Sequence, residues 1–348
     1  MSAIEFTSRA PTGNASTASR ALARAIVAAR RAPSVFNSQP WRWLIADGVA
    51  HLRADRERGL RAIDPDGRLL TVSCGAALHH ARVALAGMGV LAEVSRFPDP
   101  VDPDLLARIQ VTGLGVAEPA AIREQQAMAL RRTDRRPFAD IEVPAELVER
   151  LRAAAEAQGA HLHVLRPDAV VTLSVAAQVA AAAELADPAY RAELAEWTVR
   201  SAAYDGVPAL TAVAPGPRVV PLRDFTPGAP VPQSGDVVDR HACYAVLFTD
   251  SDTARSWLAA GEALSAVLLT ATMDRLAASP MSDVVEAPAS RRLMRELLSG
   301  IGYPMLALRL GVPADVIPPA ATARRPGRLT STTVEVSSRW ACGPPTAR

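Results

Sequence analysis

Two long apolar segments with matching centres are the feature that most constrains how this 348-residue chain folds. Residues 69–88 contain the sequence CGAAL at 74–78, and residues 253–278 contain AGEAL at 260–264. Segments this long and mostly apolar predict helices that are buried all round. Two similar buried helices favour an internal duplication, in which a unit whose natural form would be a homodimer is fused into one chain.

The elements predicted around these helices follow a similar order in both parts of the chain. Hydrophobic periodicity and turn residues, including the Asp47-Gly48 hairpin signal, set the boundaries. In the first part we predict helix 18–32, strands 41–46 and 49–54, helix 69–88, and strands 91–97 and 107–111. In the second part we predict helices 121–130 and 144–158, strand 161–165, helices 169–185 and 188–200, strand 244–249, helices 253–278 and 289–298, and strand 303–310.

This order predicts an α+β protein with two halves, residues 1–120 and 121–348. The hydrophobic content of 49% is sufficient for a sizeable core. No run of 18 or more apolar residues occurs and the polar start lacks a signal-peptide core, so we expect no membrane association and a cytoplasmic location. Three scattered cysteines without a CxxC pair fit a reducing compartment and no zinc site. A net charge of +2 argues against a nucleic-acid partner.

The segment PSVFNSQPW at residues 33–41 is the first candidate binding motif. Pro33 and Pro40 restrict the backbone at both ends of a loop that carries Ser34, Asn37 and Gln39. Such a loop can offer amide groups to the edge carbonyls of a flat ring. The alternative is a helix end followed by a strand whose tryptophans lie in the core. The chain has only two asparagines, which favours a specific role for Asn37.

The segment RRTDR at residues 131–135 is the second motif. Guanidinium groups hold a phosphate monoester in a bidentate manner, and a threonine hydroxyl adds a short hydrogen bond. The alternative is a solvated helix end, because the chain has no lysine and every surface cation except histidine is arginine. A further pair, Arg324-Arg325, can close on the same phosphate. Together the two motifs predict a flat, phosphorylated ligand.

With these motifs the chain resembles the nitroreductase-like flavoprotein superfamily, most closely its actinobacterial Acg-type branch of NAD(P)H nitroreductases. The resemblance covers nearly the whole chain, apart from a proline-rich segment at 201–239. It implies a nitroreductase-like fold and non-covalent FMN at a dimer interface. One subunit then supplies the arginine motif and C-terminal basic residues to the phosphate, and the other supplies the 33–41 loop to the isoalloxazine ring.

The resemblance assigns roles to individual residues. It implies that Arg131, Arg132, Thr133, Arg135, Arg324 and Arg325 hold the phosphate end, and that Pro33, Ser34, Asn37 and Gln39 contact the ring. It also places Ser282 and Asp283 near the reactive edge of the ring. At the position of Ser282 and Asp283 the family often has a glycine, and near Thr322 it often has a lysine. The absence of both residues from these positions affects the expectation of catalytic turnover more than that of cofactor binding.

Because each motif occurs once, the duplication predicts one composite FMN site per chain between the halves, with the pseudo-symmetric site lost. We expect residues 201–239 to form a docked lid. Two functions stay open: an NAD(P)H-dependent oxidoreductase acting on a small oxidised acceptor, or a protein that stores or sequesters FMN under the lid. No catalytic side chain and no metal ligand is predicted. The chain is expected to be a pseudo-dimeric monomer or a homodimer.

The histidines and Cys74 are predicted to be structural. His161 and His163 lie on one strand face without a neighbouring carboxylate or cysteine, and His79 and His80 lie inside the first buried helix. Cys74 precedes a glycine in the same helix and is expected to be a small buried residue.

Overall fold

One mixed and one antiparallel β-sheet, with helices packed between and around them, form the protein. The computed structural model describes residues 12–198, 204–213, 218–225 and 239–334. In these ranges the strands are β1 (Trp41–Ala46), β2 (Val49–Ala54), β3 (Val90–Arg96), β4 (Leu105–Leu114), β5 (His161–Val164), β6 (Cys243–Thr249), β7 (Ala277–Met281), β8 (Tyr303–Gly311) and β9 (Ser331–Val334).

The helices in the same ranges connect or flank these strands. They are α1 (Thr12–Ala29), α2 (Arg68–Gly87), α3 (Pro119–Leu130), α4 (Ala145–Glu156), α5 (Pro167–Ala186), α6 (Pro188–Thr198), α7 (Ala254–Met273), α8 (Asp283–Glu286), α9 (Pro288–Leu297) and α10 (Gly327–Thr330).

The two sheets have the same internal order. The first runs β3-β4-β2-β1, and β9 from the C-terminal part of the chain joins its β1 edge in parallel, with Trp43 opposite Ser331. The second runs β7-β8-β6-β5. When the four strands of each half are numbered from 1 to 4 in chain order, both sheets have the order 3-4-2-1. This repeated topology is what a duplicated unit predicts, while the origin in a fused homodimer and the boundary at residue 120 stay predictions.

Most predicted elements are present within a few residues of their predicted ends, including the β1–β2 hairpin, but one predicted helix is wrong. The structure ends α7 at Met273 and forms strand β7 from Ala277, where helix 253–278 was expected to continue. Arg275, with a φ of 60°, turns the chain between them. The alanines at 277 and 278 suit a helix in isolation, but here they pair with β8 through Gly311 and Leu310.

Helices α2 and α7 pack directly against each other in the centre of the molecule. Both have 20 residues, and each α2 position has its counterpart 186 positions later in α7. At their contact, a Cβ on Gly75 would lie 2.1 Å from the Leu258 carbonyl oxygen, and one on Gly261 would lie 1.9 Å from that of Val72. The two contacts are pseudo-symmetric, since Val72 and Leu258 are themselves counterparts.

Each sheet has its own hydrophobic core against these helices. Trp41 and Trp43 are buried in the first core between the first sheet, α1 and α2. The second core joins the second sheet to α4 and α7. Trp41 of the 33–41 motif and Trp43, which follows it, are therefore core residues, as the structural alternative proposed. The loop at 33–40 lies at the edge of that core.

Within the described residues, three helices have the length and apolar composition to cross a membrane. The absence of an uninterrupted apolar run in the sequence was therefore an insufficient test for membrane-spanning helices. The relevant parts of α2 and α7 are 89% and 67% buried inside the protein, whereas that of α5 is 22% buried. Burial explains the apolar composition of α2 and α7. The expectation of no membrane association stays a prediction.

Replacing Gly75 or Gly261 by alanine is expected to lower the free energy of unfolding by about 1–3 kcal/mol or more, because the new methyl group overlaps backbone atoms that cannot move independently. Chemical denaturation monitored by circular dichroism measures the effect. Gly113→Ala is the control, since its nearest neighbour is a side-chain atom 3.7 Å away, and a change of about 0.5 kcal/mol or less is expected. Equal stability of all three variants would contradict the close helix contact.

Candidate functional site

The two sequence motifs meet in one cavity between the halves, although about a hundred residues separate them. This arginine cavity has a volume of about 270 Å³. The 33–37 loop, the end of α3 with the segment that follows it, and residues 320–324 before β9 form its walls. Its lining includes Pro33, Ser34, Asn37, Arg131, Arg132, Thr133, Arg135 and Arg324 from the predicted set, together with Arg31, Phe36 and Met128.

The 33–40 loop has an unusual backbone. Phe36, Asn37 and Gln39 all have positive φ, at 47°, 54° and 51°. Asparagine tolerates this left-handed region, but phenylalanine and glutamine do so at a cost. Ser34 helps to hold the conformation, since its Oγ accepts the Gln39 N–H at 3.0 Å. Ser73 of α2 accepts the N–H of the residue after Ser34 at 3.1 Å and anchors the loop to the helix pair.

The arginine cavity has an excess of positive charge. Among the lining residues that the structure describes, five are arginines and none is acidic. Arg131 is 6% exposed, and its Nε and Nη1 have no hydrogen-bond partner. Burial, together with the neighbouring Arg132, lowers the Arg131 pKa to about 10, so the group stays charged at neutral pH. Buried charges are normally paired, so this arrangement requires an anion.

Arg324 connects the arginine group to the loop. Its Nη1 donates to Asn37 Oδ1 at 2.9 Å and also to Thr322 Oγ1, and its Nε is buried without a partner. Burial, together with the neighbouring Arg131 and Arg132, lowers its pKa to about 9. Thr322 itself lines the cavity at the position where the resemblance implied a lysine. The amide of Asn37 thus meets the cationic end of the site.

A second, narrower cavity of about 100 Å³ lies on the other side of the same loop. We call it the Ser282 cavity. It shares Pro33, Ser34, Phe36, Thr133 and Arg135 with the arginine cavity. Its other walls come from both central helices, from the end of β7 and from the proline-rich segment, namely Leu69, Val72, Ser73, Leu264, Pro280, Ser282, Arg223 and Phe225.

Described parts of the proline-rich segment, residues 204–213 and 218–225, lie against this site. We call them the strap; residues 201–203, 214–217 and 226–238 of the predicted lid lie outside the described residues. Gln39 Nε2 donates to the Tyr204 carbonyl at 2.9 Å, and Asn37 Nδ2 to that of Gly206 at 3.2 Å. Arg135 Nη1 donates to the Thr211 carbonyl at 3.1 Å, and its guanidinium stacks over Phe225.

Gln39 and Arg325 are not among the residues that line either cavity. Gln39 is fully buried, and its Oε1 accepts the Arg325 N–H at 2.8 Å. Arg325 Nη1 lies 3.7 Å from Asp55 Oδ2, so this cation is directed toward a carboxylate. Both residues instead tie the loop, the strap and the C-terminal segment together.

Several lining residues were missed in the sequence. Phe36 and Ser73 gave no polar signal beyond that of an ordinary core or helix residue. Arg223 is a single arginine in a segment without periodicity, and its guanidinium stacks over Phe36 with 5.1 Å to the ring centroid. Phe225 lies in the segment predicted to form the lid, and its ring lies edge-on to Phe36 with centroids 5.9 Å apart.

A buried ionic network adjoins the Ser282 cavity. Arg223 Nη2 donates to Glu184 Oε1 at 2.8 Å and to Glu286 Oε2 at 2.5 Å, and the Tyr190 hydroxyl lies within hydrogen-bond distance of the same two oxygens. Asp283 is 6% exposed, and burial raises its pKa to about 6. The network holds Arg223 of the strap against α5 and α8.

The histidine pair in α2 is buried behind the arginines. Nδ1 of His79 and Nδ1 of His80 lie 2.9 Å and 2.8 Å from Ser265 Oγ of α7, the counterpart of His79. Burial lowers both pKa values, that of His79 to about 3, so both rings are neutral at pH 7. Cys74 is buried, with its Sγ 3.2 Å from the Pro40 carbonyl. Within the described residues no cluster of His, Cys, Asp or Glu could hold a metal ion.

Comparison with known proteins gives the class. A Mycobacterium tuberculosis protein named "Putative NAD(P)H nitroreductase acg" is 38% identical over 307 residues, which cover 87% of this chain and 92% of the relative. A second protein of that organism, also named as an NAD(P)H nitroreductase, is 39% identical over 305 residues, or 85% of this chain and 86% of the relative. No model of a protein family matches the chain.

Solved structures of nitroreductases resemble part of the chain. The FMN-dependent nitroreductase NfnB from Mycobacterium smegmatis in complex with NADPH is 18% identical, with a TM-score of 0.41, over 62% of this chain and 100% of that protein. A nitroreductase with bound FMN from Bacteroides fragilis is 13% identical, with a TM-score of 0.39, over 61% of this chain and 98% of that protein.

The identity to the mycobacterial relatives over most of both chains defines a protein of the NAD(P)H nitroreductase class. Within that class, this chain belongs to the Acg family.

Arg131→Met is expected to weaken binding of inorganic phosphate about tenfold or more, because a charge-assisted hydrogen bond contributes about 1.5–3 kcal/mol. It should also raise the free energy of unfolding of the ligand-free protein by about 1 kcal/mol, because a buried unpaired charge is removed. Calorimetric titration and chemical denaturation measure the two effects. Arg123→Met, at an exposed position of α3, is the control and should change neither.

Proposed function

We propose that the protein binds one FMN per chain, with its phosphate in the arginine cavity and its ring against the 33–40 loop. The observation that carries this proposal is a buried, uncompensated cluster of arginines contiguous with a loop of small hydroxyl and amide side chains. The cluster requires an anion, and the loop offers donors and acceptors to a flat heterocycle. The names of the mycobacterial relatives, putative NAD(P)H nitroreductases, support a redox cofactor at this site.

The residues present fit this cofactor. Arg131 and Arg324 have buried donor groups without partners, which phosphate oxygens would accept. Thr133 and Arg135 lie between the two cavities and would hold the chain that joins phosphate to ring. Pro33, Ser34 and Asn37 would orient the ring. When bound, FMN supplies hydride-accepting and hydride-donating chemistry, while the protein supplies orientation and electrostatics.

The residues at the position related to the proposed FMN site by the pseudo-symmetry of the two halves favour one FMN site per chain and not two. The α4–β5 connection spans only residues 157–160, so no counterpart of the 33–40 loop exists there. Ser282 has Arg96 as its counterpart in β3. Arg96 Nε donates to the buried Glu262 at 2.6 Å, and Arg82 Nη1 donates to the same carboxylate at 2.7 Å. The positive charges of Arg82 and Arg96 are thus paired with the carboxylate of Glu262, whereas no described acidic residue lines the arginine cavity.

We further propose that the protein is an NAD(P)H-dependent oxidoreductase acting on a small oxidised acceptor, for which FMN, when bound, would supply the hydride transfer. The mycobacterial relatives named as NAD(P)H nitroreductases support this activity. No side chain is required as a catalytic acid or base, and none is assigned. A cytoplasmic location and the absence of a nucleic-acid partner remain part of this proposal.

The strap favours a second candidate function, in which FMN is stored or sequestered. Gly206, Val207 and Thr211 line the arginine cavity, and Phe225 lines the Ser282 cavity. Strap residues thus contribute to both cavities of the proposed site and would restrict the approach of a nicotinamide ring. Val220 of the strap is fully buried in a core cluster, which indicates a docked segment. Access to the ring then depends on whether the Phe225 part of the strap moves.

Denaturation of the purified holoprotein should release one FMN per chain. Absorbance of the released flavin against protein concentration from amino-acid analysis measures the ratio. A ratio near two would contradict the loss of the pseudo-symmetric site. A chain that binds no FMN, even after incubation with the free cofactor, would overturn the assignment of the cofactor itself.

Phe225→Ala is expected to accelerate anaerobic bleaching of the flavin by NADPH about tenfold or more, because it removes the ring that covers the Ser282 cavity. Stopped-flow absorbance measures the rate. Leu210→Ala, at a strap position that is 78% exposed, should leave the rate unchanged. If the parent protein is bleached as fast as Phe225→Ala, the strap does not limit access and sequestration is ruled out.

A further inference from the structure

A third cavity, separate from the proposed FMN site, lies between α5, α6 and strap residues 221–224. Its volume of about 660 Å³ is larger than those of the arginine cavity and the Ser282 cavity. Ala177, Ala181 and Leu185 of α5 form one wall, Leu194 of α6 forms the opposite wall, and Leu222 of the strap closes it. We call it the apolar cavity. Ligand pockets commonly have such a size, such apolar walls and a few convergent polar groups.

Acidic side chains form the polar end of this cavity. Glu184 and Asp283 both line it, together with Arg223. The side chains of Arg223, Glu184 and Asp283 are largely shielded from solvent, and Glu286 lies next to them with 1% side-chain exposure. The group therefore contains three carboxyl groups and one guanidinium. Arg191 and Asp224, with opposite charges, line the rest of the cavity.

The hydrogen bonds of this acidic end are incomplete. Arg223 pairs with Glu184 and Glu286, and the Tyr190 hydroxyl, with one proton to donate, lies within hydrogen-bond distance of the same two carboxylates. Glu286 Oε1 is nevertheless buried without a partner. Arg223 balances only one of the acidic charges, and Asp283 contributes a further carboxyl at the cavity wall. A buried excess of negative charge is unfavourable unless a cation or a hydrogen-bond donor compensates it.

We propose that the apolar cavity binds a small hydrophobic molecule that carries a protonated amine, with its apolar body between α5 and α6 and its ammonium group against Glu184 and Asp283. Charge complementarity decides this ligand class. A carboxylate-bearing ligand would add to the negative excess, and a neutral ligand would leave it uncompensated.

The same geometry connects this cavity to the proposed FMN site. Arg223 lines both the apolar cavity and the Ser282 cavity, and Asp283 follows Ser282 directly. An ammonium group at Glu184 competes for the carboxylate that holds the Arg223 guanidinium. Occupation of the apolar cavity therefore acts on the strap residue that stacks over Phe36.

Binding of 4-phenylbutylamine to the full chain tests the proposal, with 4-phenylbutan-1-ol as the neutral match. Isothermal calorimetry is expected to give a Kd at least about tenfold lower for the amine, the factor that 1.4 kcal/mol represents. Glu184→Gln should remove most of this difference without weakening the alcohol. Because binding is measured directly, the test needs no turnover of the protein.

Two matched tryptophan variants locate the binding site. Ala181→Trp fills the mouth of the cavity and should abolish binding of the amine. Ala182→Trp, at the adjacent exposed position outside the cavity lining, should retain it. Both positions lie on the exposed side of α5, so both variants are expected to fold. Equal Kd values for amine and alcohol, no binding of the amine, or equal binding by the two tryptophan variants would overturn the proposal.

Discussion

The contact between α2 and α7 at Gly75 and Gly261 is the constraint on which the rest of the structure depends. Only glycines allow the two backbones to approach so closely, because any side-chain carbon would lie within 2.1 Å of a carbonyl oxygen of the other helix. Each helix has its own sheet and core on its outer side. The contact therefore fixes the relative position of the halves, and with it the seam in which the candidate site lies.

The site is built from segments that have little regular structure of their own. The 33–40 loop is held in a left-handed backbone by Ser34 and Ser73, and the arginines follow the end of α3. Unpaired buried cations and left-handed phenylalanine and glutamine residues both lower the stability of the ligand-free protein. Such costs at one place are typical of a binding site that is completed by its ligand.

Residues placed by local interactions could be predicted from the sequence, whereas residues placed by contacts with distant segments could not. The β1–β2 hairpin was correctly placed because the Asp-Gly turn and the alternation of side chains are local signals. The predicted end of α7 was wrong because the alanines at 277 and 278 pair with β8, a strand more than twenty residues later in the chain. Arg131 and Arg324 could be selected as cations from the sequence, but Arg325 could not be separated from them before its contacts with Gln39 and Asp55 were known.

The amino-acid sequence by itself determined the two buried helices, the two motifs and the chemistry that their side chains can offer, because these depend on neighbouring residues. Only the tertiary structure decided that the motifs share a cavity, that no described acidic residue lines it, and that Arg223 and Phe225 of the strap lie beside it. It also decided that Arg96, the counterpart of Ser282, is paired with Glu262. These properties depend on which distant segments pack together, and packing across the seam has no local signature.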